Sequence, residues 1–414
     1  MGHNMASSGQ LHHNNPVRVI WNGEDAGAHT FSSGAITLRA NDYTSATFYK
    51  TPQIAGPIED VTTTPFAIVV GTISKDPKMR RFCQLRAEAT RDEWKTWQHV
   101  EPRFFLDTEI TDNEIENYSL QLFGGPDENL VTQKLIQQIP LKIETNSITI
   151  GGQKFAAEEA NVSMVYPNPR NPNRYVSIVA GNSPTGMFFT DRLPVNFDFA
   201  ISETRVIGEG SDTPFEKGCI AAGHFDHNWQ YNEKYILRGD TDVRAKAPIR
   251  KAPKYLNAIA KDERLMLSEL LETQSSGSFA YMERDLNWRG KPIMLSGKTY
   301  ANGIGVEVWH EPCFATYDLT GGDWTHLRAT IGIEIDKKPE ELEQKEKDGT
   351  RVYFVVRGDG KELYRSPTFQ WDSAPVEMDV DITGVKMLEL LVGNEATWYN
   401  AASSVNWADV RLEK

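Results

Sequence analysis

Cysteine is scarce in this chain. Cys83, Cys219 and Cys313 are the three among 414 residues, too few for a disulfide framework. Each sits among apolar neighbours, so buried free thiols are expected and the redox compartment stays open. No stretch reaches the ~18 consecutive apolar residues of a membrane span. A basic stripe is missing as well. Net charge is −13, with both signs mixed along the whole chain, which argues against nucleic acid as a partner. The acidity is read as serving solubility. The opening MGHNMASSGQLHHNNP has no apolar core and so is no secretory signal. Residues 1–16 read as a polar leader, with His3, His12 and His13 flexible rather than metal-bound. An exported protein would carry its signal outside this sequence, and an extracytoplasmic setting is expected.

Catalytic signatures are also wanting. An α/β-type serine hydrolase needs Gly-x-Ser-x-Gly, because its serine sits on a sharp strand-to-helix turn. None occurs. The nearest, Gly181-Asn182-Ser183-Pro184-Thr185-Gly186, has one residue too many. Pro184 also lacks the N–H that an oxyanion hole would need. Ser183 therefore reads as a helix N-cap or turn residue, and no catalytic residue is expected. Gly124-Gly125 follows an apolar strand, as an anion-binding turn would, but Asp127 and Glu128 would repel phosphate. Turn glycines are the preferred reading. His224-Phe225-Asp226-His227 offers two imidazoles and a carboxylate, but in a strand the two histidines point to opposite faces. A metal site there is the minority reading. No cofactor is implied, and the residues leave a calcium in the C-terminal part open.

What is present falls into two kinds of pattern. Residues 17–49 alternate loosely as strands. A continuous apolar run at Phe66 to Val70 then reads as a strand buried on both faces, and Ser119 to Phe123 reads as another buried strand. Between and after them come helical spacings: Pro77 to Gln98, Asp112 to Glu116, and Leu130 to Gln138, the last capped by Asp127. Met79, Trp94 and Trp97 on the first of these are expected in the core. Pro-rich PNPRNPNR precedes a further strand, Tyr175 to Ala180. Strands alternating with helices predict a mostly parallel α/β domain over 17–255. Residues 256–279 read as a helix followed by a flexible Gln274-Ser275-Ser276-Gly277-Ser278 linker.

From residue 280 to 414 the pattern changes to short strands with Gly- and Asp-rich turns, which predicts an antiparallel, jelly-roll-like β-sandwich. Its strands are placed at Gly303 to Val308, Phe314 to Leu319, Leu327 to Ile335, Val352 to Arg357, Glu362 to Tyr364, Val376 to Ile382, Met387 to Val392 and Val405 to Leu412. The charged run Lys337 to Asp348 reads as an exposed loop or short helix.

Five segments of this part carry a resemblance: LSGKTYANGIGVE, ATYDLTGG, VYFVVRGDGKELYRS, DITGVKMLELLV and NWADVRL. Over Tyr281 to Lys414 the chain resembles an NPCBM-type carbohydrate-binding module, a domain found beside glycoside hydrolases and other secreted enzymes. Two family patterns differ here. Gly-x-Gly-x-His-Ala becomes Gly303-Ile304-Gly305-Val306-Glu307-Val308, and Asp-His-Ala-Asp becomes Ser403-Ser404-Val405-Asn406. The stretch from Gly56 to about Trp229, with its PNPRNPNRYV motif, is similar to the region after the catalytic domain of bacterial prolyl-oligopeptidase-like esterases.

Sugar recognition needs aromatic faces for a pyranose and planar polar groups for its hydroxyls. The candidates are Glu307, Trp309, His310, Trp398, Tyr399 and Asn400, with Trp324 and Trp407 as further aromatics. Trp407 alternates with Val405 and is expected in the core. Such a set suits a galactose-like sugar. The function that follows is a non-catalytic, carbohydrate-binding accessory protein whose partners are a glycan and a hydrolase domain. The alternatives are part of an esterase whose catalytic segment lies elsewhere, and a structural module without ligand.

Overall fold

The structure is a computed structural model. It describes residues 16–21, 24–30, 48–190, 193–204, 218–239, 241, 245, 247–259, 262–277, 282–308, 311–396 and 400–414. A hairpin of β1 (Val17–Trp21) and β2 (Glu24–His29) opens it. Ile36, Leu38 and Thr47, expected in further strands, lie outside the described residues.

The two buried segments form β3 (Phe66–Val70) and β5 (Ser119–Phe123). Around them stand α1 (Pro77–Glu93), β4 (Arg103–Leu106), α2 (Asp112–Asn117) and α3 (Leu130–Leu135). A small meander follows, β6 (Leu141–Glu144), β7 (Ser147–Ile150) and β8 (Gln153–Ala156). Then come β9 (Ala160–Asn168), β10 (Asn171–Gly181), α4 (Pro184–Phe188), β11 (Phe199–Glu203), β12 (Cys219–Gly223) and β13 (Ile236–Arg238). Eight of these strands make one sheet in the order β13-β12-β11-β9-β10-β5-β3-β4. Only β10, β5, β3 and β4 are mutually parallel. The remaining pairings are antiparallel. The sheet is mixed, not mostly parallel. At β9–β10 the cause is local: the chain reverses within Asn168–Asn171, and so short a connection joins only antiparallel strands.

The PNPRNPNR stretch is that reversal. Asn168 and Asn171 donate their side-chain amides to the carbonyls of Ile115 and Glu116, and Arg174 Nε donates to that of Asn117. These are the terminal carbonyls of α2, which have no partner inside the helix. Two details differ from the sequence reading, the cap of α3 and the placement of Trp97. Asn129, not Asp127, caps α3, accepting from Val131 and Thr132 N–H. Trp94 packs on Phe66 with ring centroids 4.9 Å apart. Trp97 is 74% exposed, because the chain widens into a π turn over Trp94–Gln98 and carries it off the buried face. The three cysteines are buried and free, as their neighbours implied.

The sandwich starts earlier than expected. The described residues of 256–273 hold no α-helix. Instead β14 (Arg264–Met266) pairs with β26 (Ser404–Glu413), and β15 (Gln274–Ser275) pairs with β20 (Cys313–Asp318). The supposed linker is thus an edge strand. Leu265, Leu267 and Leu270 enter the sandwich core, whereas Leu271 enters the cluster of Ile68, Val70, Phe82 and Phe188. Leu265 and Leu267 share a face as residues two apart in extended chain do, and the 3-10 turn Leu267–Glu269 brings Leu270 to the same core.

The remaining sandwich strands are β16 (Glu283–Arg284), β17 (Ile293–Leu295), β18 (Lys298–Tyr300), β19 (Gly303–Val306), β21 (His326–Glu334), β22 (Val352–Gly358), β23 (Lys361–Arg365), β24 (Val376–Asp381) and β25 (Met387–Asn394). One sheet runs β16-β19-β26-β21-β24 and the other β15-β20-β25-β22-β23. Ile304, Val306, Ile331 and Trp407 from the first sheet meet Tyr317, Phe354, Leu390 and Val392 from the second. The charged run ends in a short helix, α5 (Gln344–Asp348).

Candidate functional site: one end of the sandwich

Strand alternation decides what faces outward. In β19 and β26, Ile304, Val306, Val405 and Trp407 belong to the core. Glu307, Ser404 and Asn406 therefore belong to the opposite, outer face of the same sheet. Val306 pairs with Val405, and Ser404 pairs with Glu334 on its other side. Glu307, one residue past Val306, thus stands beside Ser404, with neighbouring strands about 5 Å apart. Ser404 and Glu334 pair across two strands at one end of the sheet, and Glu307 follows directly on β19 at that end.

A buried polar network underlies that end. Glu334 accepts from Met294 N–H at 2.6 Å, Asn287 Nδ2 at 2.6 Å and Asn406 Nδ2 at 3.2 Å. Ser404 Oγ donates to Asn406 Oδ1 and accepts from Trp288 N–H at 2.9 Å. Burial pushes the Glu334 carboxyl up from its ordinary value, with the bonds from Met294 N–H and the Asn287 amide pulling the other way. Satisfied on all sides, the network fixes the loop before β17, the end of β21 and the start of β26 as one unit. At the same end Thr350 Oγ1 accepts from Ala401 N–H at 2.7 Å, and Asn400 Oδ1 accepts from Ala402 N–H at 3.0 Å. The approach to β26 is therefore held by short local bonds.

Of the residues expected to bind sugar, Glu307 and Asn400 come to this one end, both half-buried. Trp309, His310, Trp398 and Tyr399 lie outside the described residues. Trp324 is buried, its Nε1 donating to the Ala258 carbonyl at 2.8 Å, so its indole is spent inside the fold. Trp407 is buried against Phe354, as its alternation implied. Sequence reasoning did not single out Asn287, Trp288 or Glu334, and met Asn406 only as a departure from the family pattern. For Asn287 and Trp288 the signal was faint, a turn (Asn287 to Gly290) placed just before a strand.

The first domain's motifs read as structural. Ser183 caps α4 by accepting from Gly186 N–H at 3.0 Å. His224 Nδ1 lies 3.4 Å from Asp198, while Asp226 accepts from Asn228 and Gln230 N–H. Among the described residues no group of three or more His, Cys, Asp or Glu could hold a metal ion. No described helix is long and apolar enough to cross a membrane.

Beside the Gly124-Gly125 turn, burial and then the neighbouring Asp127 push Glu128 up to about 7. Its folded value exceeds its unfolded one, so the stability it contributes is full below the unfolded value and is lost as pH rises through about 7. Glu128→Gln is expected to melt above the native chain at pH 8 and level with it near pH 4. Melting curves across that range check this; equal curves at pH 8 would refute it.

Residues 263–413 match the family model of the NPCBM/NEW2 domain. That is the sandwich together with β14 and β15. No curated protein matches the chain. Among solved structures, the chain is similar to CBM51 from Clostridium perfringens GH95 in complex with methyl-galactose. Identity there is 22% over 36% of this chain and 99% of that one, with a TM-score of 0.30. It is also similar to the M60 catalytic domain with CBM51-1 and CBM51-2 from Clostridium perfringens ZmpB, at 23% identity and a TM-score of 0.29. That match covers 37% of this chain and spans 15% of that one. The tandem CBM51 modules of Sp3GH98 from Streptococcus pneumoniae SP3-BS71 match at 15% identity over 62% of this chain and 71% of theirs, with a TM-score of 0.31. The esterase resemblance of the first domain draws no support from these comparisons.

Proposed function

We propose that the chain is a non-catalytic accessory protein whose sandwich binds a galactose-type glycan at the end formed by Glu307, Ser404 and Asn400. The carrying observation is the polar network of Glu334, Asn287, Ser404 and Asn406, with Glu307 following directly on β19 and Asn400 four residues before Ser404. A carboxylate and an amide are the planar groups that sort sugar hydroxyls. The NPCBM/NEW2 match of residues 263–413 supports the reading. Trp309, His310, Trp398 and Tyr399 are assigned to the same site by the sequence alone. A single sugar buries little surface, so affinity is weak and a hydrolase domain would benefit from the added residence time.

The test is a glycan array probed with the full chain and with Glu307→Gln. Galactose-terminated glycans are expected to bind. The substitution should weaken binding at least about tenfold, since hydrogen bonds to a charged group are the stronger class. An empty array, or binding indifferent to Glu307, would overturn the proposal.

A further inference from the structure

Trp288 occupies the tip of a turn closed by hydrogen bonds. Gly290 N–H donates to the Asn287 carbonyl at 2.8 Å, and Asn287 N–H to that of Lys291 at 2.8 Å. The buried Asn287 side chain accepts from Arg289 and Lys291 N–H while donating to Glu334. Trp288 N–H is itself held by Ser404 Oγ. Gly305 brings the strand of Glu307 under this turn: a Cβ added there would lie 2.6 Å from Asn287 Cα. The backbone of Trp288 is thus held against Ser404, whose strand neighbour is Glu334, at this end of the sheet.

Apolar burial does not account for its placement. Trp288 is half-buried, yet it belongs to neither apolar cluster of the sandwich, the main core or the small one of Ile293, Leu295 and Ala408. A large aromatic on a turn this constrained loses little freedom when a ligand settles on it. From this geometry we infer that Trp288 is the stacking face of the glycan site, with Glu334 as the positioning residue beneath it. The inference rests on the glycan reading above and adds the group that contacts the apolar side of the sugar. A galactopyranose presents its C–H groups on one face, which the indole covers, and directs its hydroxyls from the edge toward Glu307 and Asn400.

The experiment is calorimetric titration of the full chain with methyl galactoside, repeated on Trp288→Ala, Trp288→Phe and Glu334→Gln. Trp288→Ala is expected to lose about tenfold in affinity with its melting temperature nearly unchanged. Trp288→Phe should recover most of the binding, which a merely structural role would not require. Glu334→Gln should weaken binding while Trp288→Phe stays close to native. If the native chain binds and Trp288→Ala binds equally well, the stacking role is wrong and the glycan reading stands. If the native chain binds no galactoside, both fall together.

Discussion

Replacing Arg250 with alanine is expected to cost about 3–5 kcal/mol of stability. Its guanidinium grips Glu283 through two bonds, Nε to Oε2 and Nη2 to Oε1, with both side chains almost fully buried. Arg250 also lies over the Phe189 ring at 4.9 Å, and its N–H donates to the Thr204 carbonyl. Nearby, Arg284 reaches Glu272 and the carbonyls of Ser268 and Leu270. The pair therefore sits where the first domain meets the sandwich. Alanine at 250 would leave Glu283 buried and charged without its partner, and that penalty dominates the loss. Arg250→Met with Glu283→Leu removes both charges and should recover most of the stability. Chemical denaturation of the three chains checks this. A single mutant that unfolds like the native chain, or a double mutant worse than the single, would contradict it.

A fragment of residues 281–414 is expected not to fold, whereas 256–414 is expected to fold and remain soluble. The shorter piece loses Leu265, Leu267 and Leu270 from its core and β14 from the flank of β26. Burying each leucine is worth roughly 1.5–3 kcal/mol. The sum, roughly 5–9 kcal/mol, matches the whole net stability of an ordinary domain. Circular dichroism and size-exclusion chromatography of the two fragments decide it. A well-folded 281–414 would show that residues 264–275 merely lie against the sandwich.

This boundary shows how far the sequence could be read. Sandwich strands such as Val352–Gly358 and Met387–Asn394 announced themselves because one face is core and the other is not. β3 did so as an unbroken apolar run. Residues 256–273 misled because Leu265, Leu267, Leu270 and Leu271 fit a helical spacing nearly as well as an extended one, and only pairing with β26 settles the choice. The Arg250–Glu283 pair joins residues 33 apart, and nothing local in either marks the other.

The site was legible in the same uneven way. Glu307 and Asn400 could be picked for their chemistry beside strand ends. Glu334 could not, since it reads as an ordinary polar residue ending a strand, and its amide partners are 47 and 72 residues away. Trp288 stood out in no pattern, and its place depends on the turn and on the bond to Ser404.

The most direct measurement is a crystal of the full chain grown with methyl galactoside. The account predicts one sugar at the sandwich end, its hydroxyls within hydrogen-bond reach of Glu307 and Asn400. A sugar bound elsewhere on the chain, or none at saturating concentration, would contradict it.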